Sequence, residues 1–451
     1  MKKRSVLEIV FLAALFGLFL LSSLDNVGNI KVLGFTVRFV YLFVVIGGGL
    51  TLYRWIKQKK INLPEGILFL GIWTVLILAF IPNTPLVIRN IGYAGWLLLN
   101  VLMIFFLVTF INKDNKEDII RLYILSFFIQ AILGLIQYLT PQIGLPPIFV
   151  SQWWVRDILP RVHAFTYEPS YYATYLFLGI PLTMILLARG KLTGLPKWLF
   201  YTMIATEVIA FSLCFSRVSV FLFLIFLIGY LIYILIRQIK KKKFNLHMTL
   251  SFLVPLITMG ATLLFMDIRL KQVKEGKEVV DSSFFLQNTG WDEEDITQGN
   301  SFKSRLEGMR MTFDVFLQNP IIGVSLGGIA PWIAKTKVTN ISSNAQVKAS
   351  EGNNVLLEIL AASGVVGFIL FCAYMIMISR YILRKGPPSG DKDYYTGLFI
   401  GFVLAFIMMI ENQNILRPYI WAHIALISAF IRLIKDETPD TKTPIKKNRN
   451  G

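Results

Sequence analysis

RVHAFTYEPSYYATYLFLGIPL, residues 161–182, passes from charged and polar residues into an unbroken apolar run within a dozen positions. An arginine, a histidine and a glutamate stand where the chain turns hydrophobic, and charge beside hydrocarbon is costly unless a partner or ligand needs it. The run continues to residue 188, long enough to cross a hydrocarbon core of about 30 Å as a helix. Whether it does so decides the fold.

The rest of the chain says that it does. Of the 451 residues, 55% are hydrophobic, and the mean hydropathy is +0.62, outside the range of soluble globular proteins. Comparable runs recur near 6–24, 33–55, 66–82, 92–111, 119–139, 197–214, 218–236, 248–266, 354–379, 394–411 and 418–434. With residues 170–188 they make about twelve candidate spans. Backbone groups in lipid must be satisfied within the segment, which predicts helices. A transmembrane β-barrel would need short alternating segments, and the chain has none. The expected fold class is an all-α polytopic membrane protein.

A net charge of +18 suggests nucleic acid until the charges are sorted by loop. With MKKR at the N-terminus inside, the loops RWIKQKK, NKDNKEDIIR, RGKLTGLPK, RQIKKKK and RYILRKG and the tail KKNR hold more than half of the 45 Lys and Arg. The short outer loops hold only Lys31, Arg89, Arg156, Arg161, Arg217 and Arg417. The positive-inside rule then places both termini in the cytoplasm, and no nucleic-acid partner is expected. RQIKKKK also has the charge to attract anionic lipid, but a topology signal is the plainer reading. The first span lacks a small-residue cleavage site and is expected to stay as a helix. Cys214 and Cys372 fall in or at the edge of spans and support neither a disulfide framework nor a thiol metal site.

One long external segment, residues 267–353, interrupts the pattern; its 11 acidic and 10 basic residues nearly cancel. Its first part is polar and reads as loop. Phe302, Leu306, Met309, Phe313 and Phe316 then recur at helical spacing, with Ser304 and Glu307 as a capping box and Pro320 as the stop. This predicts an amphipathic helix, on the outer surface or folded back onto the bundle, followed by a flexible turn at GVSLGG. No internal repeat of the kind that marks a two-fold transporter is evident.

The polar residues worth singling out all map to the outer boundary. Arg161, His163 and Glu168 precede the sixth span, Arg217 sits in the tight turn CFSRVSV, and Arg305 and Arg310 lie on the external helix. Asn353 and Asn354 open the tenth span with Glu358 one turn deeper; Glu411 and Arg417 flank the last outer turn. Arginine's planar fork binds phosphate oxygens bidentately and keeps its charge near hydrocarbon, so several arginines at one depth suit a lipid-linked pyrophosphate. The plainer alternative pairs each with a lipid headgroup or a carboxylate. Glu168 reads either as a general base toward a sugar hydroxyl, its pKa raised in a partly dry cleft, or as the cap of the sixth helix. His163 reads as a base, an oxygen ligand or a structural histidine. Tyr167, Tyr171, Tyr172, Trp153 and Trp154 fit an interfacial aromatic belt first and a sugar-stacking platform second. Glu358 is an intramembrane carboxylate, functional or a tie between helices. No P-loop, GxGxxG or HExxH motif is present, and three histidines make an imidazole metal site a poor expectation.

Four stretches, in order, resemble the O-antigen polymerase and O-antigen ligase family. RVHAFTYEPSYYA resembles its Arg-x-x-(Gly/Ala)-Phe…Glu-Pro segment and CFSRVSVF its Ser-Arg helix start. SRLEGMRMTFDVFLQNPIIGVSLGG is similar to its amphipathic segment ending in Asn-Pro, and EGNNVLLEILAASGVVGFILF to the helix that follows. The resemblance covers roughly residues 160–370. It implies a GT-C-like fold with one large extracytoplasmic loop. It divides the chain into N-terminal transmembrane helices (1–160), a family core (161–383), C-terminal transmembrane helices (384–434) and a disordered cytoplasmic tail (435–451).

The implied chemistry is transfer of glycan from an undecaprenyl-diphosphate donor to a sugar hydroxyl, on the outer face of the bacterial cytoplasmic membrane, inverting and without metal or cofactor. Arg161, Arg217 and Arg305 would hold the diphosphate and Glu168 would be base or acceptor ligand, with Arg310, His163, Asn353 and Asn354 as further substrate ligands. Membrane lipids, a chain-length regulator and a flippase are the implied partners. Where ligases carry His-Asn this chain has Asn353-Asn354, and asparagine cannot take a proton. That departure favours a repeat-unit polymerase of O-antigen, capsule or exopolysaccharide over a ligase that loads a lipid A core. A lipid-linked oligosaccharide flippase stands as the non-enzymatic alternative, against which the apolar spans and one-sided polar clusters argue.

Overall fold

The computed structural model describes residues 6–25, 29–32, 35–155, 158–190, 194–242, 244–275, 300–335, 347, 354–382, 390–411 and 415–437. Helices α1 (Val6–Leu21), α2 (Val40–Gln58), α3 (Ile67–Ala79), α4 (Val87–Phe110) and α5 (Lys116–Gln142) are followed by α6 (Pro169–Arg189), α7 (Lys197–Leu213), α8 (Arg217–Lys241) and α9 (Leu246–Glu275). Then come α10 (Asn300–Gln318), α11 (Ile329–Lys335), α12 (Val355–Ser379), α13 (Gly390–Met408) and α14 (Pro418–Glu437). Eight of these are long and apolar enough to cross a membrane, and α1 and α3 are shorter apolar helices. Each of the twelve predicted spans coincides with a helix. The protein is an all-α polytopic membrane protein.

Helix α6 is the most enclosed of the eight, with α13, α7 and α9 packed around it. Its start after Glu168 fits proline's fixed φ at the first helical position. Two small antiparallel hairpins interrupt the helices: β1 (Asn29–Val32) with β2 (Phe35–Arg38), and β3 (Trp153–Val155) with β4 (Leu159–Pro160). The first hairpin takes up the start of the predicted second span. Val40, not residue 33, therefore opens α2, and Arg38 lies on a strand outside it.

The external segment departs from expectation in three ways. Helix α9 runs nine residues past 266, so the first part of the predicted loop is helical. Helix α10 begins at Asn300, a full turn before Ser304, so Ser304 does not cap it. The GVSLGG stretch is not a free turn: Val324, Ser325 and Leu326 are buried. It fills a break in α12, where Gly364 takes φ 62° and the helix interrupts. Val324 and Ser325 donate backbone bonds to the Ala361 and Ala362 carbonyls (3.0 and 2.8 Å), and Val365 donates to Pro320 (2.8 Å). Asn83 and Asn90 donate side-chain bonds to the Gly323 and Val324 carbonyls. A non-helical segment at this depth survives because its polar groups are satisfied inside the protein.

Gly323 (φ 69°) sits so close that an added Cβ would lie 2.4 Å from the Ala362 carbonyl carbon. Gly323→Ala should therefore cost more than the roughly 1–3 kcal/mol of a left-handed non-glycine residue. Gly71, on α3, has open space around it. Monodisperse protein recovered in detergent should fall sharply for Gly323→Ala and stay at the wild-type level for Gly71→Ala.

Candidate active site

The segment between β4 and α6 is fixed from below by α5. Gln137 accepts from the His163 and Ala164 amides at 2.8 and 2.9 Å and donates to the Ala164 carbonyl at 3.1 Å. His163 is fully buried. Its Nε2 accepts from the Ser151 amide (3.1 Å), so Nδ1 carries the proton and donates to the Thr166 carbonyl (3.0 Å). Both nitrogens are thus spent on shaping the loop, which favours the structural reading over that of a base or ligand.

Arg161 leaves this loop half-buried. Its guanidinium lies 4.8 Å from the Trp154 ring and donates to Gln152 Oε1 (3.1 Å) and, at 3.5 Å, to the Cys214 carbonyl. Trp154 in turn meets Phe215 edge-on at 5.2 Å, and Phe215 turns the chain with φ 52° into α8. That turn brings Arg217, exposed, to the first position of α8. Burial lowers the Arg161 pKa, the Arg305 and Arg217 charges lower it further, and Glu168 opposes them. Arg161 therefore feels the charges of Arg217 and Arg305, from two other segments, and of Glu168. Among the described residues neither Arg161 nor Arg217 forms an ion pair. The Arg161 Nε is buried without a hydrogen-bond partner.

Glu168 occupies the cap position of α6 with extended backbone, but its side chain makes no cap hydrogen bond. The carboxylate instead accepts from the Ser170 hydroxyl at 2.6 Å. Arg305 does have a carboxylate partner, Glu411 at 3.5 Å. Burial raises the Glu411 pKa and the Arg305 charge pulls it back. Arg310 is exposed and stands five residues on, about 140° round the helix from Arg305, so the two do not share a face. Asn354 is spent as the cap of α12: its Oδ1 accepts from the Leu356 and Leu357 amides at 2.9 and 3.0 Å. Asn353 and Arg156 lie outside the described residues. Glu358 is buried in α12.

Sequence reading singled out Arg417 but passed over Asp25, the carboxylate that braces this site. Asp25 pairs with Arg38 (3.0 Å) and Arg417 (2.6 Å), donates its amide to the Phe165 carbonyl (2.9 Å) and accepts from the Tyr167 amide (3.3 Å). Arg417 also lies 4.3 Å from the Tyr171 ring. The signal was present in Asp25, the acidic residue of the turn between the first two predicted spans. Glu207, fully buried on α7 with neither oxygen hydrogen-bonded, was also passed over, although a lone acid within an apolar run marks itself.

Residues 198–372 match a family model described as O-Antigen ligase. Over those residues the chain is similar to O-antigen ligases. The O-antigen ligase match takes in Arg217, Arg305, Arg310 and Asn354 and begins beyond the Arg161–Glu168 loop. No curated protein matches the chain. The match and the apolar helices together indicate an O-antigen ligase or polymerase type of function, on a lipid-linked oligosaccharide at a bacterial membrane.

Two outcomes test the construction of the site. Asp25→Ala strands two largely buried arginines without their carboxylate, a loss of about 3–5 kcal/mol that thermal unfolding in detergent should register. Burial lowers the His163 pKa below its usual 6.5, the Thr166 carbonyl opposing and the Arg161 charge assisting. The unfolded chain gains that proton first, so stability held above pH 6.5 should fall as the pH drops toward the folded value. His163→Gln should show a smaller fall over the same range.

Proposed function

We propose that the protein polymerises undecaprenyl-diphosphate-linked oligosaccharide repeat units on the outer face of the bacterial cytoplasmic membrane. The observation that carries this reading is Arg161, on which the charges of Arg217, Arg305 and Glu168 all act, with neither Arg161 nor Arg217 in an ion pair among the described residues. Charges gathered at such cost at the membrane boundary await an anion, and a lipid diphosphate places two phosphates at that depth. In the proposed reaction the acceptor hydroxyl attacks the anomeric carbon from the face opposite the diphosphate. The C–O bond to the diphosphate breaks, and undecaprenyl diphosphate leaves with the electron pair. The arginines stabilise the charge that grows on the leaving oxygen. Glu168, its carboxylate held by Ser170, takes the hydroxyl proton. The configuration inverts, and no metal is required because the arginines supply the positive charge. Both termini are assigned to the cytoplasm. A chain-length regulator and a flippase are the proposed protein partners.

The ligase reading has the description of the matched family in its favour. The polymerase is preferred because Asn353-Asn354 stands where ligases carry His-Asn, and asparagine cannot take a proton as histidine can. A flippase would perform no chemistry at all.

Purified protein given a defined undecaprenyl-diphosphate oligosaccharide and no other acceptor should produce a ladder of longer glycans. Arg161→Ala should lower the rate by about 10²–10³-fold, and Glu168→Gln by about 10²–10⁴-fold. Arg161→Lys should recover little, since lysine lacks the fork. Failure to elongate until a lipid A core is added would support the ligase, and elongation unaffected by either substitution would overturn the site.

A further inference from the structure

At the opposite end of the bundle, the end assigned to the cytoplasm, α1, α2 and the end of α4 enclose a cleft of about 450 Å³. That is within the range of about 300–1,000 Å³ usual for small-ligand sites. Along α2 its wall is formed by Leu50, Tyr53, Arg54, Lys57 and Gln58. Their spacing of i, i+3, i+4, i+7 and i+8 makes them one helical stripe. Apolar walls come from Phe11 of α1 and Phe110 of α4.

The cations in this cleft are poised rather than paired. Arg54 lies 5.0 Å from the Phe110 ring and donates Nε to Gln58 at 3.4 Å; Lys57 lies 5.9 Å from the Tyr53 ring. Neither forms an ion pair among the described residues. A third cation, Arg432, is held by the Val108 and Ile111 carbonyls at the end of α4, and the Arg54 charge acts on it. Asp436 offsets Arg432. Among the described residues, Glu8 also lines the cleft.

The surface beside the cleft is made for lipid. Leu52 and Ile56 of α2 are 57% and 69% exposed, and Ile9 and Val10 of α1 are also exposed. Arg54 and Lys57 lie within the last turn or so of α2, about 6 Å or less from its end, where long cationic side chains reach headgroup phosphates. A soluble anion would use the cations and leave the apolar walls wet. An apolar tail alone would leave the cations unused.

We propose that this cleft binds an anionic phospholipid of the leaflet at that end, its phosphodiester between Arg54 and Lys57 and the start of an acyl chain against Phe11, Leu50 and Phe110. The site is separate from the arginines at the outer boundary and does not depend on which reaction they serve.

Native mass spectrometry of the full chain, released from vesicles of equal phosphatidylglycerol and phosphatidylcholine, tests this directly. Wild type should retain phosphatidylglycerol in preference to phosphatidylcholine. Arg54→Ala with Lys57→Ala should lower that retention by about tenfold. Arg54→Lys with Lys57→Arg, which keeps both charges, should preserve it, and Lys113→Ala, exposed at the same end, should not change it. Equal retention of the two lipids by wild type, or undiminished retention by the double alanine variant when it is monodisperse, would overturn the proposal. Displacement of the lipid by millimolar inorganic phosphate would also overturn it, because the site would then be one for free anions.

Discussion

A backbone amide in hydrocarbon has no water to turn to, and this constraint shapes the protein even where it is least regular. Helix α12 breaks at Gly364, which ought to expose polar backbone at membrane depth. The Pro320–Leu326 stretch supplies the missing partners from the other side, through amides and carbonyls exchanged with Ala361, Ala362 and Val365. Break and insertion are one feature, and neither is stable without the other. By holding the end of α10 against α12, the insertion also fixes α10, from which Arg305 reaches Glu411. A backbone requirement inside the membrane thereby places a charge at its surface.

The charges at that surface fall into two kinds. Arg38 and Arg417 share the carboxylate of Asp25, and Arg305 pairs with Glu411. Arg161 and Arg217 are held by neutral groups: an amide, a carbonyl, an indole and the first turn of a helix. A helix N-terminus is itself positive, so Arg217 adds to the dipole there instead of opposing it. Such an arrangement is poor for stability and good for receiving an anion.

Much of this was legible in the chain, and the limits have physical causes. The sixth and tenth predicted spans, 170–188 and 354–379, fall within a residue of α6 and α12 because proline and asparagine mark their starts sharply. The second span failed at its start because FTVRFV is apolar in either conformation, and only pairing with Asn29–Val32 makes part of it a strand. The end of α9 was read as loop because a polar helix shows no hydrophobic period, even one stitched by Asp267–Lys271 at 2.7 Å. Asn354 was taken for a substrate ligand, yet an asparagine directly before an apolar run is an ordinary cap signal. Arg161, Arg217, Arg305 and Glu168 were each visible from their depth at the boundary. That Arg217, Arg305 and Glu168 all act on Arg161 was not, since it depends on the Phe215 turn and the α12 insertion, which no spacing encodes.

The position of Glu168 follows from the same packing. It stands at the start of α6, the most enclosed of the candidate spans, so the helix beneath it is wedged on nearly every side. Above it, the loop is tied to Asp25, and Arg417 rests on Tyr171 one turn into the helix. The backbone that carries this carboxylate is therefore fixed from below by a packed helix and from above by an ion-paired brace, and the carboxylate itself accepts from Ser170 at 2.6 Å. The bracing charges and the receiving charges thus divide the work: one set is paired so that the other can stay open.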